Sequence, residues 1–152
     1  MTQDQPQAAP AAPAALRGMR MDHAGISVAD LDEASRWYQR ALGLSAERTF
    51  HAHSAGLRGV MLVHESGYRI ELLHRPDSAG GIRAGGPDEA VLTRGYGHVA
   101  FTVADVATAF RALVDAGASA RVPPCPAPRE GALMAWVADP DGNLIELLSE
   151  RD

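Results

Sequence analysis

Two stretches of the chain alternate apolar and polar residues in the same way. HAGISV (23–28) and HVAFTV (98–103) put Ala24, Ile26, Val28 and Val99, Phe101, Val103 on one side of a strand, with His23 and His98 on the other. Each strand runs into an aspartate, Asp30 or Asp105, and then into a helical stripe of apolar residues. The first stripe is Leu31, Ala34, Tyr38, Ala41 and Leu42; the second is Val106, Ala109, Phe110, Leu113 and Val114. The aspartates are placed to cap these helices, with Glu33 completing a capping-box pattern after Asp30. Gly43 and Gly117 suit the left-handed residue that ends a helix. Three strand-like segments follow each helix: AERTFHAH, LRGVMLVHE and YRIELLH in the first half, SARVP, ALMAWVAD and NLIELLS in the second. The last two are joined by the turn sequence Asp139-Pro140-Asp141-Gly142.

The halves are a repeat. His23 and His98 lie 75 residues apart, as do the two IELL segments, Ile70–Leu73 and Ile145–Leu148. The predicted order is β-α-β-β-β twice, an α+β fold. Neither half buries enough apolar area to stand alone, so their sheets are expected to pair into one curved structure. Parity sets Ile70 with Leu72, and Ile145 with Leu147, toward the helices. Glu71 and Glu146 then share the opposite face with His23 and His98. One domain, 20–152, is expected from two modules, 20–75 and 95–150, joined by a Gly-rich linker, 76–94. Residues 1–19 are expected to form a disordered leader, since the first 18 hold six Ala and three Pro.

Composition narrows the function classes. Of 152 residues, 46% are hydrophobic and 22% charged, as in ordinary globular proteins. The net charge is −5, with no basic cluster, which argues against nucleic acid or an anionic membrane as partner. No run approaches the roughly 18 to 20 apolar residues of a bilayer span. Asp4, Pro10 and Pro13 break the pattern of a signal peptide. One cysteine, Cys125, forbids an internal disulfide and fits a reducing cytoplasm.

The paired modules, the HAGISVADLDEASRWYQRALGL opening, the GHVAFTVAD restart and the DPDGNLIELL ending resemble the vicinal oxygen chelate superfamily. This superfamily holds glyoxalase I, methylmalonyl-CoA epimerase, extradiol dioxygenases, fosfomycin-resistance transferases and bleomycin-binding proteins. The resemblance covers nearly all of residues 20–150 and lies nearest the glyoxalase I and epimerase type. It implies a sheet curled around a cavity and a divalent metal, Zn, Ni, Co, Mn or Fe(II), held by His23, Glu71, His98 and Glu146. Two imidazoles and two carboxylates suit such ions. Glu146 or Glu71 would serve as general base for proton transfer on a metal-chelated small substrate, giving a lyase or isomerase.

The alternatives are an Fe(II) or Mn extradiol-type dioxygenase using His23, His98 and Glu146, and a non-catalytic small-molecule binding or resistance protein. The resemblance also implies a homodimer. It leaves open whether the two His–Glu pairs meet within one chain.

The remaining candidates divide by setting. His51 and His53 share a strand face and either line the cavity or lie at the surface; His64 and His74 are expected to face solvent. Glu71 has Arg69 as an alternative partner. Arg48 and Arg58 could hold an anionic group, with exposed ion pairing as the default. Trp136, Met134 and Phe50 are expected to pack or to wall the pocket. Cys125, in a proline-rich connection without a nearby histidine, is not expected to act as a nucleophile. Gly80, Gly81, Gly85 and Gly86 do not form a phosphate loop.

Overall fold

The computed structural model describes residues 13–150. Residues 1–12 of the expected leader lie outside them, and Ala14–Leu16 form a single 3-10 turn. The first module comprises β1 (Ala24–Ser27), α1 (Leu31–Leu42), β2 (Ser45–Ala52), β3 (Leu57–Val63) and β4 (Arg69–His74). After a short helix α2 (Pro87–Ala90) the second repeats the order: β5 (His98–Val103), α3 (Val106–Asp115), β6 (Ser119–Pro126), β7 (Leu133–Ala138) and β8 (Leu144–Ser149).

Local chemistry explains the boundaries. Asp30 accepts from the Glu33 amide at 2.8 Å and Asp105 accepts from that of Thr108, so both helices start at a side-chain cap. The first helix ends where Gly43 turns left-handed, at φ 66°. The tight turn between β7 and β8 closes through Gly142 N–H donating to the Asp139 carbonyl, with φ 90° at Gly142. Strand β6 runs farther than expected, through Pro123 and Pro124 and past Cys125, which pairs in register with Met134. Proline is tolerated there because β6 is the outer strand of its sheet.

Each module forms its own four-stranded mixed sheet, ordered β1-β4-β3-β2 and β5-β8-β7-β6. The first and last strands of each module are parallel neighbours, with Gly25 opposite Glu71 and Ala100 opposite Glu146. The sheets share no strand ladder. The halves instead join through the helix-side faces that parity assigned to the core. Val28, Leu31 and Leu72 of the first module form one buried cluster with Val106, Leu113 and Leu147 of the second. Burying each such side chain stabilises by about 1.5–3 kcal/mol, and the cluster needs both modules to form.

Polar struts fix the angle between the halves. Trp37 donates its indole N–H to the Ala116 carbonyl at 3.0 Å. The Tyr38 hydroxyl donates to Asp139 at 2.7 Å, and Asp139, only 2% exposed, also accepts from the Asn143 backbone and side-chain amides. Burial and the neighbouring Asp139 charge push the Tyr38 phenol far above its usual range.

Candidate functional site

The candidate ligands fall into two equivalent half-sites. On the first module, His23 Nε2 stands 3.4 Å from Glu71 Oε2; on the second, His98 Nε2 stands 3.3 Å from Glu146 Oε2. Both carboxylates are recessed, with side chains 19% and 15% exposed. Their register neighbours Gly25 and Ala100 are small, and even a Cβ on Gly25 would lie 3.6 Å from Glu71 Oε2. The β-strand pleat thus holds one imidazole and one carboxylate side by side on each face away from the helices.

The donor chemistry fits a divalent ion. Two donors each about 2.1 Å from one ion, at roughly 90 to 110°, stand about 3.0–3.4 Å apart, which matches both pairs. Each pair nevertheless supplies only half of a four-donor set. Among the described residues, no three His, Cys, Asp or Glu side chains converge in a way that could hold a metal. Within one chain the two His–Glu pairs therefore stand apart.

The two differ in their support. The His23 ring is oriented by Asp22, whose carboxylate lies 2.8 Å from Nδ1, leaving Nε2 toward Glu71. The hydrogen bond to His23, aided by the His23 charge, holds the Asp22 carboxyl below its usual range. His98 has Gly97 at the equivalent place and leans instead on Trp136, its ring centroid 4.6 Å away and nearly edge-on at 69°. Reading the repeat missed Asp22 because the second copy has no acid there. Trp136 was expected among packing or pocket-wall residues, but its contact with His98 depends on β7 and β8 pairing, which places it opposite Glu146.

Arg69 pairs with Glu47 at 3.1 Å, leaving Glu71 to His23. Arg58 makes an exposed ion pair with Asp32 at 3.2 Å, whereas Arg48, opposite Met61, belongs to the Glu71 face. The rings of His51 and His53 stack at 5.9 Å and are exposed, but His51 lies opposite Arg58 on the face away from Glu71, outside the half-site. His64 and His74 do not simply face solvent. His64 stacks on Tyr68 at 4.7 Å across the β3–β4 hairpin, and His74 Nδ1 lies 3.3 Å from the Val28 carbonyl, because the chain leaving β1 runs beside the end of β4. Phe50 lies so closely over Gly59 that a Cβ there would meet its ring at 2.2 Å.

A groove of about 1780 Å³ opens between the modules. Ile26, Tyr68, Phe101 and Leu113 line it, and it reaches His23 and His98 but neither Glu71 nor Glu146. It runs along β1 and β5, each the end strand of its sheet.

The chain belongs to the Glyoxalase/Bleomycin resistance protein/Dioxygenase superfamily, whose family profile matches residues 20–147. A lactoylglutathione lyase of Escherichia coli O157:H7 is 29% identical over 138 residues, spanning 88% of this chain and 95% of that protein. A probable lactoylglutathione lyase of Synechocystis sp. is 30% identical over 129 residues, spanning 83% and 92%. A solved glyoxalase family protein from Bacillus cereus aligns with a TM-score of 0.74 at 26% identity, covering 93% of this chain and 100% of that one.

Proposed function

We propose that the protein is a metal-dependent lyase or isomerase of the glyoxalase type, whose site is completed when two copies of the chain bring opposite half-sites together. The observation that carries the reading is the pair of equivalent His–Glu contacts, 3.4 and 3.3 Å, on faces that do not meet in one chain. The unpaired edges of β1 and β5 and the exposed Met21, Val91, Leu92 and Tyr96 support a homodimer.

His23, Glu71, His98 and Glu146 would together hold a divalent ion such as Zn, Ni, Co, Mn or Fe(II). When bound, it would supply a Lewis acid that polarises a substrate carbonyl and stabilises negative charge on adjacent oxygens. The chain's own residues do the rest. Asp22 keeps the His23 imidazole turned toward Glu71. A glutamate oxygen, on Glu71 or Glu146, takes the acidic carbon-bound proton of the substrate and returns it to the neighbouring carbon, while the hydroxyl proton passes from the first carbon's oxygen to the second's, which leaves an isomer with no net loss of atoms. Recession of both carboxylates favours this step by limiting competition from bulk water.

The relatives named lactoylglutathione lyase support a small-molecule substrate of that thioester class. Among the described residues no helix is long and apolar enough to cross a bilayer. A single cysteine remains compatible with the cytoplasm.

The reading is tested by supplying glutathione with the three-carbon 2-oxoaldehyde whose adduct is isomeric with lactoylglutathione. Thioester should form only with bound metal, cease with a chelator and in the His23→Ala, His98→Ala double variant, and proceed without oxygen uptake. Full metal retention in that double variant would refute the ligand assignment.

A further inference from the structure

Among the described residues, two buried side-chain nitrogens lack any hydrogen-bond partner, Arg121 Nε and Trp136 Nε1. Trp136 is unusual because of where it lies. It is 5% exposed, packs edge-on against His98, and pairs in register with Glu146 on one side and Val122 on the other. Its side chain therefore lies on the same face as the second His–Glu pair. The chain's other tryptophan shows the ordinary outcome: Trp37, equally deep, donates to the Ala116 carbonyl. A buried N–H without an acceptor costs about 1–3 kcal/mol, so a retained one calls for a partner that arrives later.

We propose that Trp136 is a substrate-binding residue of the second half-site, its indole N–H held free to donate to an oxygen of the molecule that binds beside His98 and Glu146. The inference rests on the reading of that pair as metal ligands and deepens it. It assigns the substrate an acceptor oxygen on the module-two side, and it makes discrimination against an apolar group in that place a property of one donor.

The cover over the indole fits this role. Trp136 shares a small buried cluster with Ala84 and Ala90 of the inter-module connection, together with Ala138 and Leu144. Alanine side chains exclude water without offering an acceptor. The connection holds Gly80, Gly81, Gly85 and Gly86, and in the proposed binding step Ala84 and Ala90 draw aside as the substrate enters. An arriving oxygen then replaces the cover with a hydrogen bond.

The test uses the full-length dimeric protein loaded with zinc, and acetohydroxamate, a small probe with two adjacent oxygens. With two tryptophans in the chain, indole ¹⁵N–¹H spectra give two side-chain signals, assigned with Trp37→Phe. Adding the probe should move the Trp136 proton downfield and leave that of Trp37 in place. Trp136→Phe should bind zinc with wild-type stoichiometry and affinity while its dissociation constant for acetohydroxamate rises about three- to tenfold, the loss of one neutral hydrogen bond.

A role in packing alone would weaken zinc binding too, and an unchanged probe affinity or a stationary Trp136 signal overturns the proposal. The spectra of the wild type decide the matter if Trp136→Phe fails to fold. Absence of zinc from the wild-type protein would instead overturn the metal reading, and this inference with it, and the metal analysis tells the two failures apart.

Discussion

At the scale of single residues, the half-sites are alike in their donors and unlike in what holds those donors. Asp22 orients His23 through its ring nitrogen, whereas Trp136 supports His98 through ring contact. A carboxylate behind a ligating imidazole fixes its orientation and raises its basicity, and losing one typically costs about 10–100-fold in metal affinity. Asp22→Ala should lower zinc affinity by roughly that range, measured by competition with a fluorescent chelator, while the thermal stability of the metal-free protein stays close to wild type. The two His–Glu contacts were legible in the sequence because the repeat states one such pair twice and parity sends all four residues to one kind of face. Asp22 was not, because the matching place holds Gly97, and a repeat gives no signal where its copies differ.

At the scale of elements, pattern and capping chemistry carry most of the fold. Leu31, Ala34 and Tyr38 are buried as their stripe requires, and both helices start at the expected aspartates. Asp30 and Asp105 are held below the ordinary carboxylate value of 3.8, chiefly by hydrogen bonds from Glu33 and from Thr108. A depressed folded pKa means that the caps contribute fully above that value and lose their contribution as pH falls through the lower, folded value. Replacing both by asparagine keeps an acceptor that does not titrate. Asp30→Asn, Asp105→Asn should therefore lose less of its melting temperature than wild type between about pH 5 and about pH 3, followed by helical circular dichroism.

The departures also have element-level causes. β6 accepts Pro123 and Pro124 because it is an outer strand, and its register shifts on either side of Val122. α2, four residues long, has too few turns to show periodicity in the connection.

At the scale of the whole molecule, periodicity says that the halves must bury their helix-side faces but not at what angle. That angle depends on contacts between residues far apart in the chain, such as Trp37 with Ala116 and Tyr38 with Asp139. The same arrangement leaves the two His–Glu pairs apart, with no three potential metal donors converging among the described residues. Tyr38→Phe removes a donor from a buried carboxylate while leaving Asn143 bonded to it, and should cost about 1–3 kcal/mol in chemical denaturation.

In the proposed dimer each complete site would take His23 and Glu71 from one copy and His98 and Glu146 from the other. Mixing two inactive proteins tests it most directly: His23→Ala, Glu71→Ala with His98→Ala, Glu146→Ala, after subunits have exchanged. Separately, neither should hold zinc. In an equal mixture the heterodimer unites two intact half-sites, so zinc content should rise to about a quarter of the wild-type value. A mixture that binds no more zinc than its components would contradict a site shared between two chains.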